Sequence, residues 1–160
     1  MISTKNLNIN YLHKLFNMTK SIKYNQNRHV DFMSNKILIN AFFEPSTRTS
    51  LSFESAMYKL GGKVINFNKD ISSLKKGESI NDTLKTLENY GDIIVIRHPD
   101  KDLIYDVCKS NLLNIPIING GNGADEHPTQ ALLDLFTIYE KFNYDYLLKT
   151  SKILRYLKKK

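Results

Sequence analysis

The chain has 160 residues, 41% of them hydrophobic, with a net charge of +7 and one cysteine. That length suits a single domain with a sizeable core. No run approaches the roughly 20 apolar residues of a membrane helix, the polar start lacks a signal peptide's apolar core, and lone Cys108 excludes an internal disulfide. A soluble, cytoplasmic domain is the expectation.

The charge is unevenly spread. Lys141, Lys149, Lys152, Arg155, Lys158, Lys159 and Lys160 face Asp145 alone in the last 20 residues, which leaves the body nearly neutral. A nucleic-acid-binding domain would carry its basic patch on the folded body. Residues 1–143 are therefore read as the domain and 144–160 as a solvated, poorly ordered basic tail, with no nucleic-acid or membrane partner.

In chain order, an amphipathic helix covers Leu7 to Tyr24. The apolar run from Ile37 to Phe43 predicts a buried parallel strand over 36–43. Next comes the turn Phe43-Glu44-Pro45-Ser46-Thr47-Arg48-Thr49-Ser50. Apolar residues then recur at helical spacing, giving a helix over 48–61 that ends at Gly61-Gly62 in a left-handed cap. A strand follows at 63–68. Asp70 to Glu78 is a polar, flexible segment before a helix over 78–91, where Gly91-Asp92 takes a similar capping role. A strand at 92–97 leads to a helix over 100–110, which holds Cys108 as a small buried residue. The last strand is expected at 115–119. A flexible glycine-rich loop runs into a helix over 128–143, with Pro128 in its first position and His127 at its cap. This alternation predicts an α/β fold, a three-layer parallel sheet of about four strands flanked by helices on both faces.

Ligands in such folds gather at the carboxyl ends of strands. Three of those ends carry chemistry. The hydroxyl-rich turn opens a helix whose first N–H groups attract anions, and Arg48 adds a planar charged fork. Taken alone, the turn reads more readily as an ordinary helix cap with Arg48 as a solvated surface residue. Arg97, one of four arginines, follows the buried run Ile93-Ile94-Val95-Ile96. With His127 at a neighbouring strand end, these groups form a credible set of donors to a developing oxyanion.

Phe43-Glu44-Pro45-Ser46-Thr47-Arg48-Thr49, Arg97-His98-Pro99 and His127-Pro128-Thr129-Gln130-Ala131-Leu132-Leu133-Asp134 closely resemble the carbamoyltransferases. The likeness runs from about residue 5 to 140 and corresponds to the family's N-terminal, carbamoyl-phosphate-binding domain. The wording around His127, with Lys76-Gly77-Glu78, favours the aspartate-using branch over the ornithine-using one. The resemblance implies that Ser46, Thr47, Arg48, Thr49 and Arg97 bind the phosphate. Thr49, Arg97 and His127 would face the carbonyl oxygen, and Gln130 would accept from the carbamoyl NH₂. Arg48, Thr49, Arg97 and His127 are the expected catalytic groups. Carbamoyl phosphate already carries its leaving group, so no covalent nucleophile, cofactor or metal is expected. Lys76 and either Ser72 or Ser73 would reach a neighbouring subunit's site, which implies a homotrimer, with room for regulatory chains.

Beyond Ile138 the sequence departs from the family, and no aspartate-binding domain is recognisable. The expectation is a truncated form that transfers a carbamoyl group to L-aspartate only when that domain is supplied, and is weakly active or inactive alone. A non-catalytic carbamoyl-phosphate-binding module is the alternative, and an ornithine carbamoyltransferase the third.

Overall fold

The computed structural model describes residues 1–5, 7–25 and 31–142. The boundary at 143 and the basic segment 144–160 lie outside the described residues. Four parallel strands, β1 (Ile37–Phe42), β2 (Lys63–Asn68), β3 (Ile93–His98) and β4 (Ile117–Asn122), form one sheet in the order β2-β1-β3-β4. Five α-helices accompany them among the described residues: α1 (Ile9–Tyr24), α2 (Thr47–Lys59), α3 (Ile80–Glu88), α4 (Leu103–Lys109) and α5 (Pro128–Phe142). No helix among the described residues is long and apolar enough to cross a membrane.

The sheet is layered as expected. Ile39, Ala41, Phe43, Ile94 and Ile96 point to one face and bury Leu84 of α3 and Ile104 and Val107 of α4. Leu38 and Val95 point to the other, against Met57 of α2. A third cluster joins α1 to α5 through Leu12, Phe16, Ala131, Leu132, Leu135 and Phe136. This arrangement follows from right-handed crossovers, because the chain moves outward from β1 to β2 and then returns past β1 to β3. That reversal makes the β1/β3 boundary a topological switch point, where the connections leaving the two strands run to opposite faces of the sheet and leave a crevice between them.

Helix ends follow local chemistry. Asn8 Oδ1 accepts from the Tyr11 N–H to start α1, and Ser79 Oγ accepts from Asp82 N–H to start α3. Gly61 ends α2 at φ +82°, the left-handed conformation that its sequence position suggests. Gly91 is different, which corrects its expected capping role. Its φ is not positive, and a Cβ there would stand 2.6 Å from Ile39 Cγ1, so it is a glycine for close packing. Asp92 then ties the starts of the two central strands together by accepting from Ile37 N–H at 2.9 Å and from Lys36 Nζ at 2.8 Å.

Two further expectations are refined. The segment expected to be polar and flexible from Asp70 to Glu78 overlaps two short 3₁₀ turns, Lys69–Ile71 and Ser73–Lys76. β4 starts after Pro116 and continues through Gly120-Gly121 to Asn122, later than the strand expected at 115–119. The glycine-rich segment after it is held by buried side chains. Asn119 Oδ1 accepts from Gly121 N–H, Asn122 Oδ1 accepts from Glu126 N–H, and Asn122 Nδ2 donates to the Lys101 carbonyl. Buried amides satisfy the backbone there, which is why the segment is fixed despite its composition.

Candidate anion-binding site

Ser46, Arg48, Thr49, Ser52, Arg97, His127, Thr129, Gln130 and Leu133 line one cleft of about 640 Å³ at the carboxyl end of the sheet. The cleft sits at the β1/β3 switch point, where Phe43 N–H donates to the Arg97 carbonyl at 2.8 Å and ties the two strand ends together.

The cap reading of Ser46 fails. Its backbone is extended, as an N-cap requires, but its side chain makes no capping hydrogen bond. The first-turn amides of α2 therefore keep their hydrogen-bonding capacity and their share of positive helix-dipole charge. Thr47 is exposed and does not line the cleft, so only its backbone N–H belongs to this turn. Arg48 is exposed and faces the cleft.

Arg97 is held from two sides. Nη1 donates to the Gly120 carbonyl at 3.1 Å, and Nη2 pairs with Glu44 Oε1 at 2.7 Å. Its buried Nε has no partner among the described residues. Gly121 closes the other side at φ +121°, where a Cβ would lie 2.6 Å from Arg97 Nη1 and 3.5 Å from His127 Cδ2. The absence of a side chain at Gly121 lets the guanidinium occupy this space.

His127 sits where the α5 cap was expected, its carbonyl accepting from Ala131 N–H at 3.1 Å. Both ring nitrogens face hydroxyls, Nε2 at 3.3 Å from Thr49 Oγ1 and Nδ1 at 3.4 Å from Thr129 Oγ1. Burial first, and then the nearby Arg97 charge, pushes the imidazole below the ordinary histidine range. A neutral ring at pH 7 follows, able to donate from one nitrogen only. Gln130 is exposed on the first turn of α5, and its Nε2 donates to Asp134 Oδ1 at 3.0 Å, leaving its carbonyl oxygen free to accept.

Ser72, Ser73 and Lys76 do not line the cleft of their own chain. Ser72 Oγ bonds the Lys69 carbonyl at 2.8 Å, and Lys76 is exposed. Glu44, Thr129 and Gly121 were not singled out from sequence, although all three lie within or beside the motifs already quoted. A carboxylate two residues before the hydroxyl turn was the available signal for Glu44.

A crevice at a switch point, bordered by a helix N-terminus and two arginines, is the arrangement with which α/β domains can receive an anion. Residues 1–140 match the family model for the carbamoyl-phosphate-binding domain of aspartate/ornithine carbamoyltransferase, and the chain belongs to that family. The aspartate carbamoyltransferase catalytic subunit of Thermococcus onnurineus is 52% identical over 121 residues, 75% of this chain and 38% of that relative. Multifunctional protein ura1 of Schizosaccharomyces pombe is 47% identical over 143 residues, 88% of this chain and 6% of that relative. Aspartate transcarbamoylase from Trypanosoma cruzi, solved with aspartate and phosphate, superposes with a TM-score of 0.84 at 37% identity. That match covers 89% of this chain and 47% of that one.

Proposed function

We propose that the cleft binds carbamoyl phosphate and supplies half of an aspartate carbamoyltransferase site. The reaction transfers the carbamoyl group to L-aspartate, giving N-carbamoyl-L-aspartate and phosphate, a step of de novo pyrimidine synthesis. The convergence of Thr49, Arg97 and His127 beside the uncapped start of α2 carries this reading.

The phosphate sits on the first turn of α2, held by its amides, the Ser46 hydroxyl and Arg48. Arg97 spans phosphate and carbonyl oxygen, and the phosphate competes with Glu44 for its Nη2. Aspartate's amine nitrogen attacks the carbonyl carbon, and charge grows on the carbonyl oxygen, toward which Thr49, Arg97 and the Nε2–H of neutral His127 point. A Thr129 hydroxyl proton directed at Nδ1 selects that tautomer. Gln130 accepts from the carbamoyl NH₂ and orients it. The carbon–oxygen bond to phosphate then breaks, and the leaving phosphate takes the electron pair and the proton shed by the amine. Each preorganised donor of this kind is worth about 10² to 10³ in rate.

Ser72 or Ser73 and Lys76, none of which lines its own cleft, complete the site of a second copy in this reading, and the assembly is a homotrimer. Aspartate recognition belongs to the part of the relatives that this chain does not span. A second reading is a carbamoyl-phosphate-binding module without catalysis, since the residues of the cleft are all assigned here to one substrate. Titration calorimetry with carbamoyl phosphate tests the shared claim, and saturable binding is expected. Aspartate-dependent phosphate release by the 160-residue chain separates the two. Little turnover is expected of it, because up to roughly 7 to 11 kcal/mol of orientation requires both substrates to be held.

A further inference from the structure

Asn40 is the only polar residue in β1, on a strand with neighbours on both sides, and is 1% exposed. Its Nδ2 donates to Asn66 Oδ1 of β2, its register partner, at 2.9 Å, and to the Ser50 carbonyl in the first turn of α2 at 3.4 Å. A carbonyl only accepts, which settles the orientation of the Asn40 amide. Asn66 Nδ2 in turn donates to Glu54 Oε2 at 3.2 Å, one turn further along the same helix. The network thus runs from β1 through β2 and back to α2.

Asn40 Oδ1 is buried with no partner among the described residues. Burying an unpaired acceptor opposes folding, and an apolar side chain of the same shape would avoid that cost. Stability alone therefore does not account for an asparagine at this place. What the amide grips is the residue next to Thr49, beneath the turn whose amides and hydroxyl face the cleft.

We propose that Asn40 is a positioning residue for the anion-binding turn. Through the Ser50 carbonyl it sets the first turn of α2, so that Thr49 meets His127 and the turn's N–H groups meet the ligand. It touches no substrate. This assignment rests on the reading that the cleft binds carbamoyl phosphate.

The test uses Asn40→Leu in the 160-residue chain, with calorimetric titration of carbamoyl phosphate and inorganic phosphate beside thermal unfolding. A melting temperature equal to or above that of the parent is expected, with affinity for both titrants reduced about tenfold and the His127 ring resonances shifted. Asn66→Ala, at the exposed end of the network, is expected to weaken binding about threefold without lowering the melting temperature, and decides the matter should Asn40→Leu fail to fold. Parent-like affinity in either folded variant overturns the assignment, as does a loss of affinity that merely tracks a loss of stability. A parent chain that binds neither titrant overturns the carbamoyl-phosphate reading and this assignment with it, whereas binding by the parent and equal binding by the variants overturns the assignment alone.

Discussion

Thr49 Oγ1 and His127 Nε2 lie 3.3 Å apart, so the N-terminal ends of α2 and α5 meet in one hydrogen bond although 78 residues separate them in sequence. Thr49→Val keeps the shape and deletes the hydroxyl. A neutral hydrogen bond is worth about 0.5 to 1.5 kcal/mol. Calorimetry should accordingly show carbamoyl phosphate bound about two- to tenfold more weakly, with the fold intact by circular dichroism.

His127 carries a pH signature. Burial and Arg97 lower its pKa below 6.5, so between its folded pKa and 6.5 the unfolded chain binds more protons than the folded one. Its contribution to stability is thus unimpaired above pH 6.5 and becomes unfavourable as pH falls through that window. His98, lowered chiefly by burial, adds the same sign. Melting temperature should fall from pH 7 to pH 5.5, and less steeply in His127→Gln. Bound phosphate dianion favours the imidazolium, so NMR titration of the ring should show an upward pKa shift on adding phosphate. An unchanged or downward shift would place the anion away from His127.

Arg97 offers charge-assisted contacts, each worth about 1.5 to 3 kcal/mol. Arg97→Ala should weaken phosphate binding by about 10- to 150-fold. Arg97→Lys should recover little of this, since one ammonium cannot reproduce a planar fork spanning Glu44, Gly120 and the ligand. Full recovery by lysine would mean that only net charge matters in the cleft.

Gly121→Ala tests the floor of the site. The new methyl group would meet Arg97 Nη1 at 2.6 Å on a backbone with φ +121°. Strain of about 1 to 3 kcal/mol is expected in denaturant unfolding, with a parallel loss of phosphate affinity as the guanidinium is displaced. Gly77→Ala is the comparison. That position also has positive φ, but an added Cβ meets nothing within 4 Å, so stability should fall there while affinity holds.

Glu126 is 4% exposed and accepts from Thr4 N–H, Thr4 Oγ1, Ser3 Oγ and Tyr105 Oη, the last at 2.7 Å. Burial raises its pKa, but these hydrogen bonds prevail and bring it below 4.5. Its contribution is therefore present above pH 4.5 and lost as pH falls through the folded pKa. Glu126→Ala should cost about 2 to 3 kcal/mol near pH 7, seen as a lower denaturation midpoint. The gap from the parent should narrow in acid. A constant gap from pH 7 to pH 3 would show that the charge of Glu126 contributes nothing.

Most of the element pattern was readable along the chain. Strand β2 begins and ends where expected, because its β-branched and aromatic residues Val64, Ile65 and Phe67 are bounded by Gly62 and a polar turn. The motif residues Ser46, Arg48, Thr49, Arg97, His127 and Gln130 do come together in one cleft. The misses share a cause. β4 lies later than expected because its glycines read as loop, while the side-chain amides that fix the segment reach distant carbonyls, Asn119 that of Ile2 and Asn122 that of Lys101. Gly91 was misassigned because its constraint is the Ile39 side chain of a different strand.

What the sequence determined by itself was local. Periodicity set helix against strand, and residue chemistry marked a hydroxyl turn, two arginines and a histidine as candidate anion ligands. Only the tertiary structure decided that β3 lies beside β1, which brings Arg97 to Glu44 and His127 within reach of Thr49, and that α2 folds back over β1, which sets Asn40 beneath Ser50. Those relationships depend on contacts between residues 10 to 78 positions apart. No local spacing encodes them, because they arise only when the chain crosses back over its own first strand.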